Sequence, residues 1–126
     1  MATKRWLRAL AAKHQFTTLR ISFSFCTDDT ILALNRQFLK HDYYTDILTF
    51  PVECRTHHCL AGEIFISIDT VRSNALRFRS SFQHELLRVM SHGLLHLAGF
   101  NDKTTTERKK MRSAEEDAIL LYNSFC

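Results

Sequence analysis

Proline is almost missing from this chain and glycine is scarce, one and three in 126 residues. Long structureless loops and Gly- or Pro-rich linkers are thereby excluded. Apolar runs are short as well. The longest, Ala118-Ile-Leu-Leu-Tyr122, falls far below the ~20 residues that cross a bilayer, so no membrane is expected among its partners. Four cysteines, Cys26, Cys54, Cys59 and Cys126, are too few and too unevenly spread for a disulfide-stapled scaffold. The segment from Met1 to Gln15 lacks the apolar stretch of a secretion signal. The expected compartment is the reducing cytoplasm.

What is present suits one globular domain over residues 1–126. Apolar residues make up 45% and charged residues 24%, enough to enclose a core and keep it in solution. Lys and Arg outnumber Asp and Glu by 17 to 13, a net charge of +4. From charge alone that surplus favours an anionic partner and does not separate nucleic acid from an anionic membrane surface. An ordinary, slightly basic soluble protein has the same balance.

Periodicity sketches the elements. Residues 4–14 form a basic amphipathic helix with Trp6, Leu7, Leu10 and Ala11 on one side. Leu19, Ile21, Phe23 and Phe25 then alternate with polar residues as in a half-buried strand. Thr27-Asp28-Asp29 opens a helix near 28–40, with Ile31, Leu34 and Phe38 spaced for one face. A strand over 46–52 ends or is edged at Pro51, and the polar stretch from Glu53 to Ala61 reads as a loop. A strand from Glu63 to Asp69 sets three isoleucines on one face, and Asp69 caps a short helix carrying Val71, Ala75 and Phe78. The helix from Phe82 to Ala98 is apolar over most of its circumference and belongs in the middle of the domain. Thr104 and Glu107 form a capping box that opens a last helix running to about Tyr122. The order predicts an α+β fold, a small mixed sheet covered by about five helices.

The central helix carries one polar stripe. At ~100° per residue Glu85, His92 and His96 lie near a common direction, with Arg88 close by. Histidines at i and i+4 present their rings side by side, as two ligands of one cation must. Gly99 supplies the left-handed turn that ends a helix, and the chain returns a carboxylate, Asp102, towards the pair. Three protein ligands leave a fourth position for water, the mark of catalytic rather than structural zinc. Such a water is acidified towards ~7 and becomes a nucleophile. A lone His-x3-His on a helix is commonly structural, its rings satisfied by backbone. On an otherwise apolar helix, however, two unpaired imidazoles would be costly to bury. The strict metalloprotease pattern His-Glu-x-x-His is excluded, because Gly93 stands where the general-base Glu belongs. Glu85 on the same stripe is a candidate base, or a partner to an imidazole.

These residues carry a resemblance. His92-Gly-Leu-Leu-His-Leu-Ala-Gly-Phe-Asn-Asp102 resembles the HGxLHLxGYDH motif of the YbeY family of metal-dependent, single-strand-specific endoribonucleases. Leu34-Asn35, Thr45-Asp46-Ile-Leu-Thr-Phe50 and Gly62-Glu63-Ile64 are similar to that family's LN, TDVLSF and GDI segments, in the same order and spacing. The resemblance implies one divalent ion, zinc by default, held by His92, His96 and Asp102. It also implies a mixed sheet with the ion in a cleft, and a role in maturing the 3′ end of 16S ribosomal RNA and in ribosome quality control. The implied partners are single-stranded ribosomal RNA, ribosomal particles and ribosome-associated proteins. Two departures stand out. The family's third ligand is typically His, whereas Asp102 is a harder oxygen donor that shifts preference towards manganese or nickel, and Asn101 replaces the pattern's Asp. The family also carries an Arg shortly after the LN pair where this chain has Leu39, so Arg36 or Lys40 is the candidate phosphate contact.

Other groups are weaker candidates. Cys54, His57, His58 and Cys59 offer soft ligands, but structural zinc generally uses two separated pairs, so an exposed loop is the plainer reading. His14, His41 and His84 read as surface or edge residues. Arg72, Arg77, Arg79, Arg88, Lys103, Arg108, Lys109, Lys110 and Arg112 flank the histidines in sequence. They would hold RNA phosphates if they converge on the cleft, and are ordinary solvated faces if they do not. Phe100 and Tyr44 can stack on a base or pack at the rim. Three readings remain from the residues: the endoribonuclease, a zinc peptidase or amidase with an unusual base, and a non-catalytic ribosome-assembly module stabilised by its ion.

Overall fold

The computed structural model describes residues 2–39, 45–54, 56 and 58–125. Lys40, His41, Tyr44 and His57 lie outside the described residues. Helix α1 (Ala2–Lys13) leads into β1 (Thr18–Cys26), then α2 (Asp28–Leu34), which runs on as a π-helical turn, Asn35–Leu39. Strands β2 (Ile47–Pro51) and β3 (Cys59–Ser67) precede α3 (Ile68–Arg77), α4 (Phe82–Leu97) and α5 (Thr105–Asn123). The sheet order is β1-β3-β2, with β1 parallel and β2 antiparallel to β3. The expected α+β fold with a small mixed sheet is therefore found.

Strand β3 is central, which explains its lack of alternation: Leu60, Ala61, Gly62, Ile64, Ile66 and Ser67 are all buried. One face of the sheet packs against α4, whose Leu87, Val89, Met90 and Leu94 join Ile64, Ile66, Leu60 and the α1 residues Trp6, Leu7 and Leu10 in the main core. The α1 helix is tied to α5, where the Trp6 indole N–H donates to the Ala118 carbonyl at 2.7 Å and the ring meets Tyr122 edge-on. Gly93 lets α4 lie close on the sheet. A Cβ there would stand 2.7 Å from the Ile47 side chain and 3.1 Å from that of Ile64.

Several local expectations are corrected. The π turn advances the helix register, so Asn35 is buried while Phe38 is 58% exposed rather than on the inner face. Strand β3 starts at Cys59, inside the stretch read as loop, and ends at Ser67, so Ile68 begins α3 instead of closing the strand. Ser67, not Asp69, caps that helix: its hydroxyl accepts the Thr70 N–H at 3.2 Å. Phe78 lies outside α3, exposed. Cys54 and Cys59 form a disulfide across the loop, so this pair offers no thiolate to a metal. No helix among the described residues is long and apolar enough to cross a membrane.

Candidate metal centre

Strand β2 is an edge strand, and its free side faces a cleft of about 340 Å³. The cleft is lined by Asn35 and Leu39 of the π turn, by Thr45 to Thr49, and by His92, His96 and Asp102. The three residues singled out as metal ligands thus share one cavity. Each has a local cause. Ser81 caps α4 through the His84 N–H and fixes where the helix begins, which sets the azimuth of His92 and His96. Gly99, at φ +110°, reverses the chain after α4. The capping box of Thr104 and Glu107 starts α5 soon afterwards, so Asp102 is held on a short turn beside the histidines.

His92 Nε2 and Asp102 Oδ2 are 3.4 Å apart. Two donors bound at ~2.0–2.2 Å to one tetrahedral ion stand about 3.4 Å apart as well. The His92 and His96 rings are parallel within 3°, with centroids 6.4 Å apart. Rings sharing an ion have centres nearer about 5 Å. The pair is open by about an ångström, and among the described residues no three His, Cys, Asp or Glu side chains are gathered tightly enough to hold an ion as they stand. Exposed His96 would complete the set by turning inward. The chemistry of the donors fits a divalent cation, two imidazoles and a carboxylate on one wall. A larger hollow, about 680 Å³ between β1 and the loop before β3, is lined by no imidazole among the described residues.

Behind His92 lies a buried network. Its Nδ1–H donates to Glu115 Oε2 at 2.6 Å, which leaves Nε2 facing Asp102. The other oxygen of Glu115 accepts from Arg88 Nη1 at 3.3 Å, and Arg88 is forked onto Glu85 through Nε at 3.0 Å and Nη2 at 2.6 Å. The Glu85 hydrogen bond, against the cost of burial, holds the Arg88 guanidinium above its ordinary range. Burial pushes the His92 imidazole down, but the Glu115 hydrogen bond and charge, with Asp102 and Asp46, outweigh it and leave it raised.

Glu85 therefore meets Arg88 rather than an imidazole, and the carboxylate on His92 is Glu115. Sequence reasoning passed over Glu115. The signal was there: it falls on the buried stripe Met111, Glu115, Ala118, Tyr122 of α5, where a carboxylate must have a partner. Asp46, a second carboxylate in the cleft, was seen only as part of a motif. Arg36 is exposed on the π turn and does not line the cleft. None of the flanking arginines and lysines lines it either. Arg88 and Arg112 open onto a different cavity, and Arg72 and Arg77 lie over Phe82 and Phe78. Phe100 packs edge-on against His14, away from the cleft.

A small α+β domain whose imidazoles and carboxylates converge at a sheet edge is built as a hydrolytic enzyme is. The family model described as Endoribonuclease YbeY matches residues 1–123. Curated relatives carrying the name Endoribonuclease YbeY include one from Cytophaga hutchinsonii, 47% identical over 122 residues, with 97% of this chain and 84% of the relative covered. Another, from Phocaeicola vulgatus, is 48% identical over 121 residues, covering 96% and 86%. A Thermotoga maritima protein whose structure was solved in solution superposes with a TM-score of 0.65 at 32% identity, covering 96% of this chain and 81% of that one. This chain belongs to the YbeY family of endoribonucleases. Of the three readings the residues left open, the family name carries the first.

Proposed function

We propose that this protein is a metal-dependent endoribonuclease that cuts single-stranded ribosomal RNA during maturation of the small-subunit 3′ end and in ribosome quality control, in the cytoplasm and on ribosomal particles. In this reading His92, His96 and Asp102 hold one divalent ion. Zinc is the first choice, with manganese or nickel favoured by the oxygen of Asp102. The observation that carries it is the 3.4 Å approach of His92 Nε2 to Asp102 Oδ2 in a cleft that His96 also lines.

When bound, the ion supplies Lewis-acid polarisation of a phosphoryl oxygen and acidifies the attacking hydroxyl. The chain does the rest. The His92 ring is fixed by Glu115. Asp46, the cleft carboxylate outside the ligand set, accepts the proton of the attacking oxygen, the role first considered for Glu85. Leu39 and Thr45 to Thr49 form the wall along which an RNA strand lies.

Purified wild type, His92→Ala, Asp102→Ala and Asp46→Asn, each loaded with zinc and given a labelled single-stranded oligoribonucleotide, test this. Cleavage should vanish in the ligand variants. In Asp46→Asn it should fall about 100-fold or more while zinc stays bound. Equal cleavage by all four proteins would reject the reading. Turnover of peptides that RNA does not inhibit would replace it with a peptidase.

A further inference from the structure

The network behind the cleft has a charge that does not close. Glu85 and Glu115 are 2% and 5% exposed, both nearly out of water, and Arg88 is the cation bonded to both. Arg88 gives Glu85 two short contacts and Glu115 one longer one. Glu115 is thus the less neutralised of the two, and its other oxygen is turned onto His92 Nδ1 at 2.6 Å. With a neutral imidazole the set Glu85, Arg88, Glu115, His92 carries one net negative charge in a poorly solvated place. Such a charge needs a positive neighbour. Glu85, Arg88 and Glu115 also border a cavity that Arg112 and His84 line, and through the His92 ring the network reaches Nε2, which faces Asp102 in the cleft.

We infer that Glu115 is the positioning residue of the cleft: it fixes His92 with its proton on Nδ1 and its lone pair on Nε2, and it lends the ring a negative charge that a cation at Nε2 completes. Arg88 and Glu85 hold that carboxylate in place. A carboxylate behind a ligating imidazole raises the basicity of the ring and sets its direction. The helix registers make this possible. Glu85, Arg88 and His92 share one stripe of α4, and Glu115 is presented by the facing stripe of α5. The inference rests on the reading of His92 as a metal ligand.

The test uses zinc alone, titrated against a chromophoric chelator, with thermal melts of the metal-free proteins beside it. Glu115→Gln keeps the volume and an oxygen that can accept from Nδ1, but removes the charge. Its zinc affinity should fall about 10- to 100-fold. Its metal-free form should melt no lower than wild type, because Glu85 and Arg88 then balance each other. A purely structural Glu115 would give the opposite pair, a lower melting temperature with unchanged affinity, and that result would overturn the inference. Should Glu115→Gln not fold, nitrogen-15 spectra of the wild-type imidazoles decide instead. In the neutral form of His92 a proton on Nδ1 and a bare Nε2 are expected, and the reverse tautomer would be as fatal. Wild type that takes up no zinc would fail the metal reading itself, whereas wild type binding no better than Glu115→Gln fails only this inference.

Discussion

At the scale of single residues, two glycines shape the cleft and for different reasons. Gly93 is a matter of space, since its missing Cβ is what allows α4 to rest against Ile47 and Ile64. It also explains why the metalloprotease glutamate could not stand there, because a long side chain would be driven into the sheet. Gly99 is a matter of backbone, for nothing lies near its absent Cβ but its φ is +110°. An L side chain at positive φ costs about 1–2 kcal/mol. Gly99→Ala should therefore lower stability in urea unfolding by about that amount. Because the turn carries Asp102, it should also weaken zinc binding more than its loss of stability accounts for. Unchanged zinc affinity in Gly99→Ala would show that the turn does not set the carboxylate. That His92, His96 and Asp102 line one cleft was legible from spacing alone, since helix geometry and a glycine stop are local rules. The contact of Glu115 with His92 and the presence of Asp46 in the cleft were not, because elements distant in sequence bring these residues together.

At the scale of elements, helix ends were the most readable features. Thr104 and Glu107 form the expected capping box, and the Thr104 N–H bonded to Glu107 Oε1 at 2.9 Å holds that carboxyl below its ordinary value. A depressed carboxylate contributes stability above its unfolded pKa and loses it as pH falls through the folded one. The melting temperature of Glu107→Gln should thus lie below wild type at neutral pH, and the gap should close under acid conditions below pH 4.5. Thr104→Ala, which removes the other half of the box, should cost about 1 kcal/mol at neutral pH. Central elements were harder to bound. Strand β3 is central and begins with a run of three buried residues, Leu60, Ala61 and Gly62, which gave no alternation to mark its start. The π turn after α2 inserted a step that the 3.6-residue period cannot anticipate, and Phe38 was assigned inward for that reason.

At the scale of the molecule, the positive charge and the cleft are separate. The described lining of the cleft has three carboxylate or imidazole ligand candidates and Asp46, but no Lys or Arg. A polyanion drawn to a protein of net charge +4 would meet local repulsion there without a cation. Chelator-treated protein should therefore bind a fluorescent single-stranded oligoribonucleotide at least about tenfold more weakly than zinc-loaded protein in anisotropy titrations, and affinity should fall with salt. Equal binding in both states would assign RNA capture to the arginine-bearing surfaces of α3 and α5 instead.

The absence of a side chain at Gly93 has one more consequence. With nothing between helix and sheet at that point, the helix that carries His92 lies directly on the sheet, while Asp102 stands on the turn beyond the helix end. Adjustment to the radius of an ion would then fall to the exposed His96 side chain and to the short segment from Gly99 to Thr104, and a preference among metals of different size would be tuned there.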